Sequence, residues 1–268
     1  MAKRFIGIDV GAETVKVVEL TEQDGGLRWT GHWVAEHHKE PNETLLRLLK
    51  ERRWGEVAGA AVSGRASRQV EVERVPTKQA QALAYRAILS GRVQGDDLHE
   101  GYRGHDDDTG TVVSIGSHGF SVLELRDKGV EVFRENSRCS QGTGNFLRQL
   151  VERFDMDIEA ASELCGPVEN PAPLSGRCPV ILKTDMTHLA NKGENRSRIL
   201  AGLYDAVCEN VQVLIKPKLA PRDVVLIGGV ARAARVREQF ASYLADNDMV
   251  LHDSDLEDRL FFEAIGAA

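Results

Sequence analysis

The sequence predicts an α/β protein of two halves, each a β-rich opening followed by helices, arranged around a cleft. Three observations predict this. "KRFIGIDVG" followed by "TVKVVEL" reads as a strand, a tight Gly turn and a second strand. "TVVSIGSHGFSVLEL" repeats at 111–125 the layout found at 5–20. "RDVVLIGGVARAARVREQFASYL" reads as a strand, a double-glycine turn and a helix. Apolar runs alternating with helical periodicity are the pattern of layered α/β folds, and an internal echo points to a repeated unit.

The remaining elements follow in order. "LRWTGHWVAEH" is a candidate third strand. "NETLLRLLKERR" is helical, with leucines at Leu45, Leu46, Leu48 and Leu49 and Asn42 as the expected cap. "VAGAAVSG" reads as a buried strand, and "TKQAQALAYRAIL" as a helix. The glycine-rich acidic stretch 95–110 is expected to be a loop, and His105 with Asp106, Asp107 and Asp108 reads as solvated chain rather than a metal site. Helices then dominate: "GNFLRQLVERF", "DIEAASELC", "ILKTDMTHLANKG", "SRILAGLYDAVCENVQVLIKPKL" and finally "EDRLFFEAIGAA". The expected division is residues 1–110 as lobe I, completed by the C-terminal helix at 256–268, and residues 111–255 as lobe II.

Composition excludes several classes. The chain has 268 residues, 42% of them hydrophobic, enough for a sizeable core. A formal charge of −7 argues against a broad nucleic-acid footprint. No apolar run approaches the roughly 18 residues of a membrane helix, and "MAKRFIGIDVG" has no apolar core of a signal peptide. A cytoplasmic protein without membrane or nucleic-acid partners is expected. The Asn42 and Asn195 glycosylation patterns carry no weight in that compartment. Of the four cysteines, Cys139, Cys165, Cys178 and Cys208, none forms a CxxC pair. Composition alone reads them as packing thiols, since a thiol behaves as a small hydrophobe.

Several turns have the makings of phosphate sites. In "GIDVGAETVK", Asp9 ends a strand and Gly11 and Ala12 lie in the turn, with Thr14 and Lys16 close behind. Glycine lets backbone N–H groups approach phosphate, and an aspartate at that point can hold hydrated Mg²⁺. "SIGSHG" supplies a second turn around Gly116, with His118 as a weak candidate for positioning water, and "LIGGVAR" a third around Gly228 and Gly229. "CSQGTGNFL" places Gly142, Thr143 and Gly144 at a helix start, a ready anion cradle. The order of these turns resembles the two phosphate loops and the adenosine loop of the superfamily of actin, sugar kinases and heat-shock chaperone ATPases. That resemblance implies a two-lobed actin-like ATPase (ribonuclease H-like) fold with a nucleotide cleft between the lobes.

Within that superfamily the sequence resembles the BadF/BadG activator family, the ATP-dependent activators of 2-hydroxyacyl-CoA dehydratases and the ATPase subunits of benzoyl-CoA reductases. The carrying residues are Cys139 ahead of the Gly-Thr-Gly helix start and Cys178 in "CPVILKTDM", at a spacing that looks like the family's. The resemblance covers nearly the whole chain. It implies that Cys139 and Cys178, with the same pair from a second chain, hold one 4Fe–4S cluster at a homodimer interface. It further implies ATP or ADP and Mg²⁺ as ligands, with Asp9 on Mg²⁺ through water and Lys16 assisting. Gly11, Ala12, Thr14, Gly116, Gly142, Thr143, Gly144, Gly228 and Gly229 then line the nucleotide. Cys165 and Cys208 match no family cysteine and read as packing thiols.

The sequence departs from the family at three places. Where relatives have Asp-Ile-Gly-Gly-Gln-Asp, this chain has Ser114-Ile115-Gly116-Ser117-His118-Gly119, without either carboxylate. Lys183 and Asp185 stand where relatives have two glutamates. The end at "AIGAA" gives the expectation of one module from a longer, fused polypeptide, pairing with a homologous domain. The expected function is an ATP-dependent one-electron donor that takes electrons from an external low-potential donor and reduces a dehydratase or reductase. The first alternative is a weakly or non-hydrolysing nucleotide-binding module, favoured by the altered second turn. The second is a small-molecule kinase of the same fold, which needs a catalytic base that this turn does not offer as a carboxylate.

Overall fold

The computed structural model describes residues 2–50, 52, 54–95, 108–136, 143–175, 178–252 and 256–268, with the side chains of 256–258 excepted. In chain order the elements are β1 (Arg4–Val10), β2 (Thr14–Gln23), β3 (Gly26–Glu36), α1 (Pro41–Leu49), β4 (Val57–Ser63), β5 (Glu73–Arg74), α2 (Thr77–Leu89), β6 (Val93–Gln94), β7 (Gly110–Gly116), β8 (Gly119–Arg126), β9 (Val130–Glu135), α3 (Thr143–Val151), α4 (Ile158–Cys165), α5 (Pro179–Asn191), α6 (Arg196–Gln212), β10 (Asp223–Ile227), α7 (Ala234–Ala245), β11 (Val250–His252) and α8 (Leu256–Ala267). The chain forms two compact units, Met1–Asp108 with Asp253–Ala268, and Thr109–His252.

The first unit has a six-stranded sheet in the order β5-β4-β1-β2-β3-β6. β1, β2 and β3 form an antiparallel meander, and β4 adds parallel to β1. Successive side chains of a strand point to opposite faces. Ile6, Ile8 and Val10 therefore share one face with Val15, Val17 and Val62, and join Leu45 of α1 in a core cluster. The alternate residues Gly7 and Asp9 take the other face, against which α8 packs. A Cβ on Gly7 would stand 1.9 Å from the Ala264 carbonyl oxygen, so only glycine admits this approach.

The second unit has a five-stranded sheet in the order β11-β10-β7-β8-β9. β7, β8 and β9 form an antiparallel meander, with β10 parallel to β7 and β11 parallel to β10. This repeats the β5-β4-β1-β2-β3 arrangement of the first unit, as the echo of 5–20 at 111–125 predicts. Its core gathers Val113, Ile115 and Val122 from the sheet with the buried stripe Ile199, Leu203, Val207 and Val211 of α6. That four-residue spacing keeps one helix face on the sheet. At the start of α7, buried Arg235 donates through Nε and Nη2 to the two oxygens of Asp205, both at 2.9 Å. Its Nη1 also donates to the Cys165 carbonyl, at 2.7 Å. This fork ties α4, α6 and α7 together just behind the Gly228–Gly229 turn.

Some boundaries differ from the sequence reading. Asn42 is not the cap of α1. The helix starts at Pro41, whose fixed φ suits a first helical position, and Glu40 takes the cap position. α5 likewise begins at a proline, Pro179, two residues before the expected "ILKTDM". α6 ends at Gln212 although the apolar pattern runs on to Leu219: Leu214 and Ile215 N–H groups donate to carbonyls three residues back, Val211 and Gln212, both at 3.0 Å, which tightens the chain out of the α-helix. Of the expected loop at 95–110, residues 96–107 lie outside the described residues.

Candidate functional site

The first candidate turn lies between β1 and β2. Gly11 N–H donates to the Thr14 carbonyl at 2.9 Å and closes it, with Ala12 half-buried inside. Antiparallel register sets Asp9 opposite Lys16. Lys16 Nζ donates to Asp9 Oδ2 at 2.6 Å. The pair is deeply placed, with side chains 12% and 4% exposed. Burial opposes the charge on Lys16. The Asp9 carboxylate, through charge and hydrogen bond, and Glu263 of α8 outweigh it and hold the ammonium pKa above its ordinary value. Glu263 in turn accepts from Gln81 Nε2 of α2 at 2.7 Å.

Asp9 keeps one oxygen in reserve: Oδ1 is buried without a hydrogen-bond partner. A buried carboxylate oxygen in that state suits a hydrated cation, because Mg²⁺ holds on to its water and binds proteins through one or two carboxylates. The donor set at this turn thus fits Mg²⁺. Lys16, bonded to Oδ2, fixes the orientation of the carboxylate.

In the second unit, three glycine turns meet at one end of the sheet. β7 and β8 join through Ser117 and His118, with Gly116 paired to Gly119. The first helical turn of α3 packs on this hairpin. Asn145 N–H donates to the Ser117 carbonyl at 2.9 Å. A Cβ on Gly144 would lie 2.9 Å from the Gly116 carbonyl, from Ser117 Cα and from Val230 Cγ2. Gly228 has φ +96°, and its Cβ would lie 2.4 Å from the Ile115 carbonyl. The structure therefore brings Gly116, Gly144 and Gly228, with Thr143 and Gly229 beside them in the chain, into one constellation of closely approaching backbone at a helix start. Thr143 is buried at the head of α3, and His118 is half-buried with Nδ1 unpartnered. Gly142 lies outside the described residues. Ser114 sits within β7 opposite Ser121, so no carboxylate reaches the turn from that position.

The cysteines divide by environment. Cys165 and Cys208 are core residues of the second unit, 0% and 1% exposed. Burial pushes the Cys165 thiol up to about 12, and burial likewise raises Cys208. Cys178 is half-buried at the N-cap of α5, with Pro179 at the first helical position. Val180 and Ile181, just beyond it, are 72% and 46% exposed. A helix start lowers thiol pKa and favours thiolate, the form that binds iron. Cys178 therefore fits one position of a cluster. Cys139 lies outside the described residues. Among the described residues no group of three or more His, Cys, Asp or Glu is placed to hold a metal ion.

Sequence reasoning missed Ser63 and Gly64. They follow the apolar strand "VAGAAV" and carry no motif, yet β4 runs parallel to β1 and sets Ser63 opposite Asp9. A polar residue followed by glycine at the end of a buried strand was the available signal.

Comparison with known proteins follows the same lines. The chain is similar to the activator of lactoyl-CoA dehydratase of Anaerotignum propionicum, 28% identical over 141 residues, 52% of this chain and 54% of that protein. It is also similar to the (R)-2-hydroxyglutaryl-CoA dehydratase activating ATPase of Acidaminococcus fermentans, 28% identical over 127 residues, 47% of this chain and 49% of that one. The chain thus spans about half the length of these curated relatives. Among solved structures, component A of the Acidaminococcus fermentans (R)-2-hydroxyglutaryl-CoA dehydratase superposes with a TM-score of 0.80 at 20% identity, covering 99% of this chain and 96% of that one. The activator of the 2-hydroxyisocaproyl-CoA dehydratase from Clostridium difficile, solved with bound ADPNP, gives 0.76 at 20% identity, covering 100% and 93%. The fold is that of the actin-like ATPases. A family model described as the BadF/BadG/BcrA/BcrD ATPase family matches residues 6–268, and the chain belongs to that family.

Proposed function

We propose that this chain is an ATP-dependent one-electron donor of the activator type, which reduces a partner dehydratase or reductase. The observation that carries the reading is the contrast among the cysteines. Cys178 is half-buried at a helix N-terminus beside exposed Val180 and Ile181, whereas Cys165 and Cys208 are sealed in the core. Two thiolates per chain leave a four-thiolate set incomplete, and a second chain or a homologous domain completes it. Exposed apolar side chains next to Cys178 suit such pairing. Relatives named as activators of lactoyl-CoA and 2-hydroxyisocaproyl-CoA dehydratases support the choice of partner.

In this account Cys139 and Cys178 would hold the cluster, which would be reduced by an external low-potential donor. The cluster supplies the electron that the partner receives. Asp9 would hold Mg²⁺ through water, with Lys16 orienting its carboxylate. Gly11 closes the first turn so that Ala12 and Thr14 would meet phosphate. Gly116, Thr143 and Gly144 would do the same in the second unit, with Gly142 assigned on sequence alone, and Gly228 and Gly229 would line the adenosine. In sequence Cys139 stands four residues before Thr143, where α3 begins, so a nucleotide held at that helix start would act on the segment that carries a cluster ligand. ATP should slow amide exchange in the Asp9–Thr14 turn and in the Gly228–Gly229 turn. Equal exchange with and without saturating ATP would remove nucleotide binding from the account.

A second reading rests on Ser114: a nucleotide-binding module with weak or no hydrolysis. Phosphoryl transfer needs a group that orients water or metal, and serine lacks the charge. Ground-state contacts persist when transition-state groups are lost, so binding survives and turnover is slow. Ser114→Asp should raise ATP turnover by about a hundredfold, the lower end for a positioned acid–base group. An unchanged rate in protein that binds ATP would show that Ser114 does not limit hydrolysis.

A further inference from the structure

Two unpartnered, buried polar atoms belong to residues paired across neighbouring strands of the first unit. Parallel pairing of β1 with β4 sets Asp9 opposite Ser63, and antiparallel pairing with β2 sets Asp9 opposite Lys16. Cross-strand partners share a face of the sheet, so Ser63, Asp9 and Lys16 form one row. Lys16 takes Asp9 Oδ2 at 2.6 Å. Asp9 Oδ1 and Ser63 Oγ are both buried without a hydrogen-bond partner, on residues 3% and 0% exposed. The chain then bends around this carboxylate. Gly64 has φ +93°, and a Cβ there would lie 2.3 Å from Asp9 Oδ1. Ala66 N–H fastens the bend by donating to the Val10 carbonyl at 3.0 Å.

Leaving two polar atoms unsatisfied is costly, and buried oxygens without partners mark places where a ligand or water completes the bonding. A water bound to Mg²⁺ has its lone pair committed to the metal. It has two protons to donate and needs two acceptors. We propose that Ser63 is a positioning residue for the cation: its Oγ and Asp9 Oδ1 accept the two protons of one metal-bound water. The hydroxyl proton of Ser63 remains on Oγ, and nothing is transferred. Gly64 is required beside it because any side chain would occupy the oxygen that the water needs. This inference rests on the nucleotide-and-Mg²⁺ reading of the first turn.

The test uses ADP and Mn²⁺ with the full chain, in wild type, Ser63→Ala and Ser63→Thr. ADP binding in EDTA reads the nucleotide site alone, and EPR titration of Mn²⁺ in saturating ADP reads the cation. Loss of an outer-shell partner typically weakens metal affinity by about tenfold or more. Ser63→Ala should therefore bind ADP in EDTA like wild type, hold Mn²⁺ roughly tenfold more weakly, and melt without metal no lower than wild type. Ser63→Thr, which keeps the hydroxyl, should hold Mn²⁺ like wild type. Equal Mn²⁺ affinity in wild type and Ser63→Ala overturns the inference and leaves the nucleotide reading standing. So does a Ser63→Thr protein of wild-type stability that loses Mn²⁺ as Ser63→Ala does. Absence of ADP binding by wild type overturns the nucleotide reading and, with it, the role of Ser63.

Discussion

Cys178→Ser, and separately Cys139→Ser, should abolish the cluster in anaerobically reconstituted protein and weaken pairing of chains, whereas Cys165→Ser and Cys208→Ser should do neither. The distinction is one of ionisation and access. Iron is bound by thiolate, and thiolate forms where a thiol meets positive potential and an approach path. Cys178 stands at the N-cap of α5, where the helix presents unsatisfied N–H groups and partial positive charge. Cys165 and Cys208 are in the core, and burial raises both thiols, Cys165 to about 12. They stay protonated at neutral pH and have no room for iron. Their serine variants should cost stability alone, about 1–3 kcal/mol for a hydroxyl in a site built for sulfur. Iron and sulfide content, with size-exclusion chromatography, distinguishes the outcomes. If all four substitutions behave alike and no variant or parent holds iron, the cysteines are packing thiols only.

Gly266→Val should be the most destabilising single change in the first unit. A Cβ at 266 would lie 1.8 Å from the Ala80 carbonyl oxygen and 3.0 Å from the Ala84 nitrogen, both backbone atoms of α2. No rotamer relieves a clash with backbone, so α8 must move away from α2. The same helix sets Ala264 against Gly7, and its Glu263 contributes to the charge held on Lys16. Overpacking of a tight core contact costs about 1–3 kcal/mol, occasionally more, and this contact is tighter than most. We expect about 3 kcal/mol, read as a fall in melting temperature of roughly 10 °C. Gly55→Ala is the control, since nothing lies within 4 Å of its added carbon; its effect should be within about 0.5 kcal/mol. Circular dichroism melts of the three proteins decide it. A Gly266→Val protein that melts like wild type would contradict the close packing of α8 on α2.

Much of the fold was legible because its periodicity is local. The strand–turn–strand openings show in "FIGIDVG…TVKVVEL" and "VVSIGSHGFSVLEL", where alternating residues reveal a half-buried sheet and glycines reveal the turns. α2 is legible to the residue, since "TKQAQALAYRAIL" carries its own pattern. The failures are local competitions that the apolar pattern does not display. Pro41 displaced Asn42 from the cap position of α1, and α6 tightens into three-residue turns after Gln212, short of its apolar tail.

The site was legible in part for the same reason. Asp9 and Lys16 are close in sequence, and a hairpin makes them neighbours. The convergence of Gly144 on Gly116 and Val230, and of Gly228 on Ile115, is set by the packing of α3 and the β10 turn on β7; the sequence shows the glycines without showing what each one approaches. Ser63 was invisible because its meaning depends on β4 pairing with β1, a contact across more than fifty residues. Family resemblance found the candidate cysteine pair, and burial separates Cys178 from Cys165 and Cys208.

On the proposed function, this chain would carry half of a shared cluster whose electron is delivered under control of ATP. The most direct measurement is anaerobic reconstitution of the chain, alone and with a homologous partner domain, followed by iron and sulfide analysis with Mössbauer and EPR spectroscopy in the presence of ATP. The account predicts one 4Fe–4S cluster per pair of chains or domains, reducible by a low-potential donor and altered in its spectrum by ATP. Protein that binds ATP and yields no 4Fe–4S signal in either preparation would contradict the electron-transfer assignment and leave an ATP-binding module of the same fold.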